Sequence, residues 1–131
     1  MNHLTIGIDI GTSSVRVAAF PTGDWDFLNA TLGTRTMPVS RGTDGGETIE
    51  PSDLLNAVIG AMDDCLANVP FGTVIDAIGT SCFWHSVVPT NEAGIPIGPV
   101  LLWSDRRCGD IVDVLRKEQP NLPDVTGCPW H

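Results

Sequence analysis

The residues Gly11-Thr12-Ser13-Ser14 lie between two apolar runs, and that arrangement restricts the fold more than anything else in the chain. Leu4, Ile6, Ile8 and Ile10 alternate with Thr5, Gly7 and Asp9, the period-two pattern of a strand whose faces differ. Val15 to Phe20 is a second β-favouring run, so Gly11 to Ser14 are expected to form the tight turn of a β-hairpin. One glycine and three hydroxyl residues gather backbone N–H and side-chain O–H groups in one small concavity. Such nests bind anions, phosphate above all. Asp9, at the mouth of the turn, offers a hard oxygen ligand suited to Mg²⁺ through water. An ordinary hairpin with a polar tip fits the same pattern, so the turn alone leaves both readings open.

Downstream, a third extended segment is expected over Ala30 to Val39, and Ser40 to Glu47, rich in Gly, Asp and Thr, reads as a mobile loop. Glu50-Pro51-Ser52-Asp53 opens a helix, with proline early and acidic groups against the positive end of the helix dipole. Its apolar stripe is Leu54, Leu55, Val58, Met62, Cys65 and Leu66, ending near Asn68-Val69-Pro70. Val74 to Gly79 reads as a buried strand. Ser86 to Pro89 and Val100 to Trp103 flank the turn Asn91-Glu92-Ala93-Gly94 and predict a second hairpin. From Asp105 a second helix follows, with Cys108, Ile111, Val112 and Leu115 on one face, until Pro120 and Pro123 stop it. Strand, strand, strand, helix, strand, helix is the opening of an RNase H-like α/β core.

With 131 residues the chain is one domain's worth. A net charge of −9 argues against nucleic acid or an anionic membrane as partner, since both select basic surfaces. No apolar stretch approaches the ~20 residues that cross a bilayer, and Gly7 and Asp9 interrupt anything resembling a signal peptide. A cytoplasmic location is expected, with the four cysteines as free thiols.

Ile6-Gly7-Ile8-Asp9-Ile10-Gly11-Thr12-Ser13-Ser14-Val15-Arg16 resembles the first phosphate motif of the sugar-kinase, actin and heat-shock-chaperone ATPase superfamily. Gly-Thr-Ser-Ser followed by Arg is the form typical of the FGGY carbohydrate kinases. The resemblance implies an RNase H-like (actin-like ATPase) fold and ATP with Mg²⁺ as cofactors. It places Asp9 near the metal, through water, and Gly11, Thr12, Ser13 and Ser14 around the terminal phosphates. Arg16 falls near the transferred phosphoryl group.

Two further regions resemble the same family. At Ala77-Ile78-Gly79-Thr80-Ser81-Cys82-Phe83-Trp84-His85-Ser86, many members carry Met-His or Arg-Glu where Trp84 and His85 stand, a pair that touches the sugar. An aromatic face beside an imidazole suits a polyol, although a buried Trp with a satisfied His would look alike in sequence. Trp in place of Met departs from the family and leaves the sugar's identity open. Asn91 to Arg107 resembles the family's hairpin and its Trp-x-Asp-x-Arg segment, here Trp103-Ser104-Asp105-Arg106-Arg107. By the resemblance Asp105 accepts hydroxyl hydrogen bonds from the sugar and Arg107 supports that carboxylate. The structural alternative is that Ser104 or Asp105 caps the following helix. Thr126-Gly127-Cys128-Pro129 is also family-like, so the resemblance spans nearly the whole chain.

Cys82-Phe83-Trp84-His85 and Cys128-Pro129-Trp130-His131 share Cys-x-Trp-His, and Cys82, His85, Cys128 and His131 form the ligand set of a structural zinc site. The pairs lie far apart, and kinase-like segments account for both. There is no P-loop, no dinucleotide fingerprint and no nucleophile elbow.

Phosphoryl transfer needs a base or orienting carboxylate and a cradle for the whole nucleotide. In FGGY kinases the catalytic Asp, the second phosphate motif and the adenosine motif come later than His131, so no residue here is nominated as catalytic. Residues 1–131 are therefore expected to be the N-terminal part of the family's first domain, without the second domain and with a sheet incomplete at its C-terminal end. The expected activity is ATP-dependent phosphorylation of a small sugar, polyol or sugar acid by the complete kinase, this chain alone being inactive. It supplies the first phosphate motif and part of the sugar site, and either self-associates or needs the remainder of the kinase. The alternative is a non-catalytic sugar- or phosphate-binding or structural fragment.

Overall fold

The N-terminal alternation becomes a hairpin of β1 (His3–Ile10) and β2 (Ser14–Pro21), paired antiparallel from Leu4 opposite Pro21 to Ile10 opposite Val15. In the computed structural model, which describes residues 2–26 and 30–129, β3 (Thr31–Thr36) adds antiparallel to β2. β6 (Val74–Cys82) adds parallel to β1, giving the mixed order β3-β2-β1-β6. A second, small sheet holds β4 (Ser40–Arg41), β5 (Glu47–Ile49) and β7 (Val100–Leu101).

One helix, α1 (Pro51–Leu66), backs the first sheet, lying over β2 and β3. Pro51 occupies its first turn, and Glu50 precedes it in extended conformation. Ile6, Ile8, Val15, Val17 and Ala19 bury one face of the hairpin against the helix. Each such aliphatic side chain contributes about 1.5–3 kcal/mol when fully buried.

The helix face differs from the predicted stripe. Ala57, Ala61 and Cys65 are buried, with Leu54, Val58 and Met62 packed beside them, whereas Leu55 and Leu66 are exposed. The cause is a close approach at Gly33, where a Cβ would collide with the Ala61 carbonyl oxygen and come within 2.7 Å of the Cys65 nitrogen. At that spacing only small residues fit between helix and strand. Cys65 completes the contact by donating its thiol to the Thr31 carbonyl at 3.2 Å.

Four other expectations change. The Val74 strand forms but every residue of it is exposed, because it is the sheet's edge and α1 lies over β2 and β3 instead. Ser40 to Glu47 is not a mobile loop: β4 and β5 pair around a turn closed by the Gly42 N–H donating to the Gly46 carbonyl at 2.8 Å. The second hairpin exists, but reduced to bridges at Val87–Leu101 and Thr90–Pro96. The second helix, α2 (Gly109–Glu118), starts four residues later than expected, after a turn closed by the Gly109 N–H on the Arg106 carbonyl, and buries none of its residues. Neither Ser104 nor Asp105 caps it, since Cys108 precedes its first residue. A short α3 (Leu122–Thr126) follows, with Gly127 closing it at φ 70°.

Candidate functional site

Behind the phosphate turn, the packed hairpin fixes the backbone. The Gly11 N–H donates to the Ser14 carbonyl at 2.9 Å, and the Met37 N–H donates to the Ser13 carbonyl at 2.9 Å. Gly11 leaves little room, since a Cβ there would stand 3.1 Å from the Ser14 oxygen. In front, the chemistry is idle: among the described residues no hydrogen bond engages the hydroxyls of Thr12, Ser13 or Ser14. Asp9 and Arg16 are cross-strand neighbours joined by one 3.5 Å contact, with side chains 53% and 64% exposed. An open carboxylate at the end of β1 fits a hydrated Mg²⁺, and the unspent hydroxyl donors of the turn that follows fit phosphates.

The turn lies where β1 and β6 end together. Asp9 is level with Ser81 and Ile10 with Cys82, and the Phe83 N–H donates to the Ile10 carbonyl at 2.9 Å. Ligands of open α/β sheets collect at the carboxyl ends of parallel strands. Trp84 and His85 leave β6 at this end. Trp84 is 78% exposed and meets the His85 ring edge-on at 6.0 Å. His85 is held at φ 61°, a strained backbone for a residue other than glycine. Next to it, the buried Ser86 hydroxyl has no partner among the described residues.

Facing the turn is a cleft of about 550 Å³ lined by Thr12, Ser13, Arg41, Glu47, Trp103 and Ser104, with Thr36 to Val39 as its floor. The structure thus joins two of the predicted phosphate residues to the Trp-x-Asp-x-Arg segment. It does not gather all the candidates there. Asp9 and Arg16 instead line a separate concavity on the sheet face opposite α1, and Trp84 and His85 lie outside both linings.

Asp105 sits just behind the cleft wall, its side chain 10% exposed. Its Oδ1 accepts the Arg107 N–H at 3.1 Å and Nε at 3.0 Å, while Oδ2 accepts the Glu47 N–H at 3.1 Å and Arg107 Nη2 at 2.6 Å. These bonds, those from the Arg107 side chain first, hold the Asp105 carboxyl well below the usual carboxylate range. The Asp105 carboxylate in turn raises the Arg107 guanidinium. Arg107 therefore holds the Asp105 carboxylate in place.

Glu47 and Arg41 were missed by the sequence reading. Glu47 Oε2 accepts the Ser104 hydroxyl at 2.6 Å, Oε1 accepts Arg41 Nε at 3.1 Å, and its backbone carbonyl takes the Leu102 N–H at 3.0 Å. The Ser104 bond, more than Arg41, lowers the Glu47 carboxyl. No sequence signal pairs Glu47 with a serine 57 positions away, because β5 and β7 must first form to bring them together. Among the described residues, no group of three or more His, Cys, Asp or Glu side chains is placed to hold a metal. His131, the last of the zinc candidates, lies outside the described residues.

The profile of the FGGY family of carbohydrate kinases, N-terminal domain, matches residues 4–131. The chain belongs to that family. No curated protein sequence matches it. Gluconate kinase from Lactobacillus acidophilus superposes with a TM-score of 0.85 over 100% of this chain and 26% of its own, at 20% identity. Xylulose kinase from Rhodospirillum rubrum superposes at 0.77, covering 88% of this chain and 23% of its own at 23% identity. Plasmodium falciparum glycerol kinase with ADP superposes at 0.74, covering 89% and 23% at 15% identity. These likenesses establish the sugar-kinase, actin-like ATPase fold. This FGGY chain spans about a quarter of the length of the solved kinases it matches. No helix among the described residues is long and apolar enough to cross a membrane.

Proposed function

We propose that this chain forms the nucleotide-phosphate wall and part of the sugar wall of a kinase that phosphorylates a small sugar, polyol or sugar acid with ATP. The observation that carries the reading is the turn itself, whose backbone is fixed from behind while the hydroxyls of Thr12, Ser13 and Ser14 have no partner among the described residues.

In this reading Ser13 and Ser14 donate to the terminal phosphates, Thr12 faces the cleft, and Arg16 exchanges its long contact with Asp9 for the phosphoryl group in transfer. Asp9 holds the water shell of Mg²⁺, which when bound neutralises charge on the phosphates. On the sugar side, Trp84 packs against C–H groups, His85 exchanges hydrogen bonds with hydroxyls, and the segment of Asp105 and Arg107 bounds the pocket. The strained His85 backbone supports a binding role, since such strain persists where the surrounding structure over-determines it. No residue here acts as the base; that group belongs to the rest of a kinase.

The cheapest test reads the coding DNA past His131. An in-frame continuation into kinase sequence supports the enzyme reading, and a stop codon with no such remainder contradicts it. The isolated chain is expected to yield no ADP above background with Mg-ATP and a panel of pentuloses, glycerol, erythritol and gluconate. Sugar-dependent ADP release would reveal a base within residues 1–131. We further propose that the edge strand β6, with Ile75 and Ile78 exposed, is covered by a remaining part of the kinase or by a second copy. Light scattering should then show the isolated chain self-associating, and a stable monomer would contradict this.

A further inference from the structure

The bond between Ser104 and Glu47 has a direction, and the direction limits what the cleft can recognise. Glu47 is a carboxylate and only accepts, so at 2.6 Å the Ser104 hydroxyl spends its one proton on Oε2. Arg41 Nε donates to the other oxygen of the same carboxylate at 3.1 Å and, after the Ser104 bond, helps to keep Glu47 ionised and in place. Toward the cleft that it lines, Ser104 is left with lone pairs and no donor. Asp105, one residue on, has its lone pairs taken by Arg107 and by the Glu47 N–H. A carboxylate offers about four such positions, so Asp105 has none to spare for a ligand.

We propose that Ser104, oriented by Glu47, is the group of this segment that recognises substrate, accepting a hydrogen bond from a sugar hydroxyl. Trp103, 62% exposed and lining the same cleft, supplies the apolar face beside it. Asp105 and Arg107 are positioning residues that hold the segment. The ligand class is a polyol presenting an O–H donor at this point; a carbonyl, carboxylate or phosphate oxygen there would meet lone pairs. The proposal rests on the kinase reading and refines its sugar side.

The test is amide and indole NMR on the full chain, titrated separately with D-xylulose, its 1-deoxy analogue, glycerol, D-gluconate and Mg-triphosphate. Polyols should shift the Trp103 indole, and at least one hydroxylated ligand should bind roughly tenfold tighter than its deoxy partner, the size of one hydrogen bond. In Ser104→Ala that preference should fall to about one, the deoxy ligand binding as before. Glu47→Gln, whose amide can donate back to Ser104, should lower it too, and Glu47→Asp should restore part of it. Equal weakening of both ligands in Ser104→Ala would show a merely structural role and overturn the proposal. So would polyols leaving Trp103 unshifted while Mg-triphosphate shifts Gly11 to Ser14, an outcome that leaves the kinase reading standing. Silence at both places overturns the proposal and the kinase reading together.

Discussion

The Gly11–Ser14 turn and the Trp103–Arg107 segment face each other across one cleft and are held in opposite ways. The turn is fixed from behind by apolar packing through β1, β2, β3 and α1, and its hydroxyls have no partner among the described residues. The segment follows the core residues Val100 and Leu102, and side-chain bonds from Glu47, Asp105 and Arg107 fix it. One carboxylate–arginine pair from each region repeats the contrast. Asp9–Arg16 is a single exposed contact, whereas Asp105–Arg107 is a multiply bonded strut whose carboxylate is shielded. In the proposed reading, polar groups left idle on a rigid backbone form the binding wall, and saturated ones form its scaffold.

The largest expected effect breaks the packed side alone. Gly33→Val forces a branched side chain into the Ala61 and Cys65 backbone and should cost about 3 kcal/mol or more, the upper range of overpacking. Urea or thermal unfolding checks it; a loss under ~1 kcal/mol would mean that α1 does not hold the turn as described.

Next in size, Asp105→Ala strips the polar side. Arg107 and the Glu47 N–H lose their acceptor, and hydrogen exchange should accelerate across Gly45 to Ile49 and Leu102 to Arg107 while the β1–β2 hairpin stays protected. Uniform acceleration over both regions would erase the distinction.

Acid should separate the two regions without mutation. Asp105 and Glu47 both have folded-state pKa values below their ordinary ones. Their stabilisation is therefore complete above the ordinary carboxylate pKa and is lost as pH falls below it toward the folded-state values. The cleft segment should loosen on acidification below about pH 4, with Asp76, lowered by Thr22 and then His3, adding a smaller loss at the β6 edge. Stability that stayed flat down to pH 2 would contradict the assignment.

How much of this was legible in sequence follows the same division. Alternation and turn composition disclosed the hairpin and its hydroxyl-rich turn, because both are local. The helix was legible from Pro51 onward, but its buried face was not, since that depends on how closely Gly33 lets it approach. Ser40 to Glu47 read as a loop because its order comes from distant partners: β7, the Arg106 N–H on the Gly45 carbonyl, and the Asp105 carboxylate on the Glu47 N–H. The Trp-x-Asp-x-Arg resemblance drew attention to Asp105 and Arg107, and only geometry reveals that they bond each other and that Ser104 faces the cleft. The strand at Val74 was read as buried from its composition, while its position at the sheet edge leaves it exposed.

The smallest expected change in stability comes from Arg16→Gln. An exposed single-contact pair contributes about 0.5 kcal/mol or less, so unfolding should barely move. A large loss would make Asp9–Arg16 a strut like Asp105–Arg107 and remove the contrast.

The central claim, that the idle turn binds nucleotide phosphate, is tested most directly by titrating the chain with ATP, with and without Mg²⁺, while following the backbone amides of Gly11 to Ser14. The account predicts saturable shifts largest at those amides, with a Mg²⁺-dependent component that disappears in Asp9→Ala while ATP still binds. Amides of the turn that stay still at saturating Mg-ATP, or a wholesale loss of ATP binding in Asp9→Ala with no Mg²⁺-dependent component in the wild type, would contradict it.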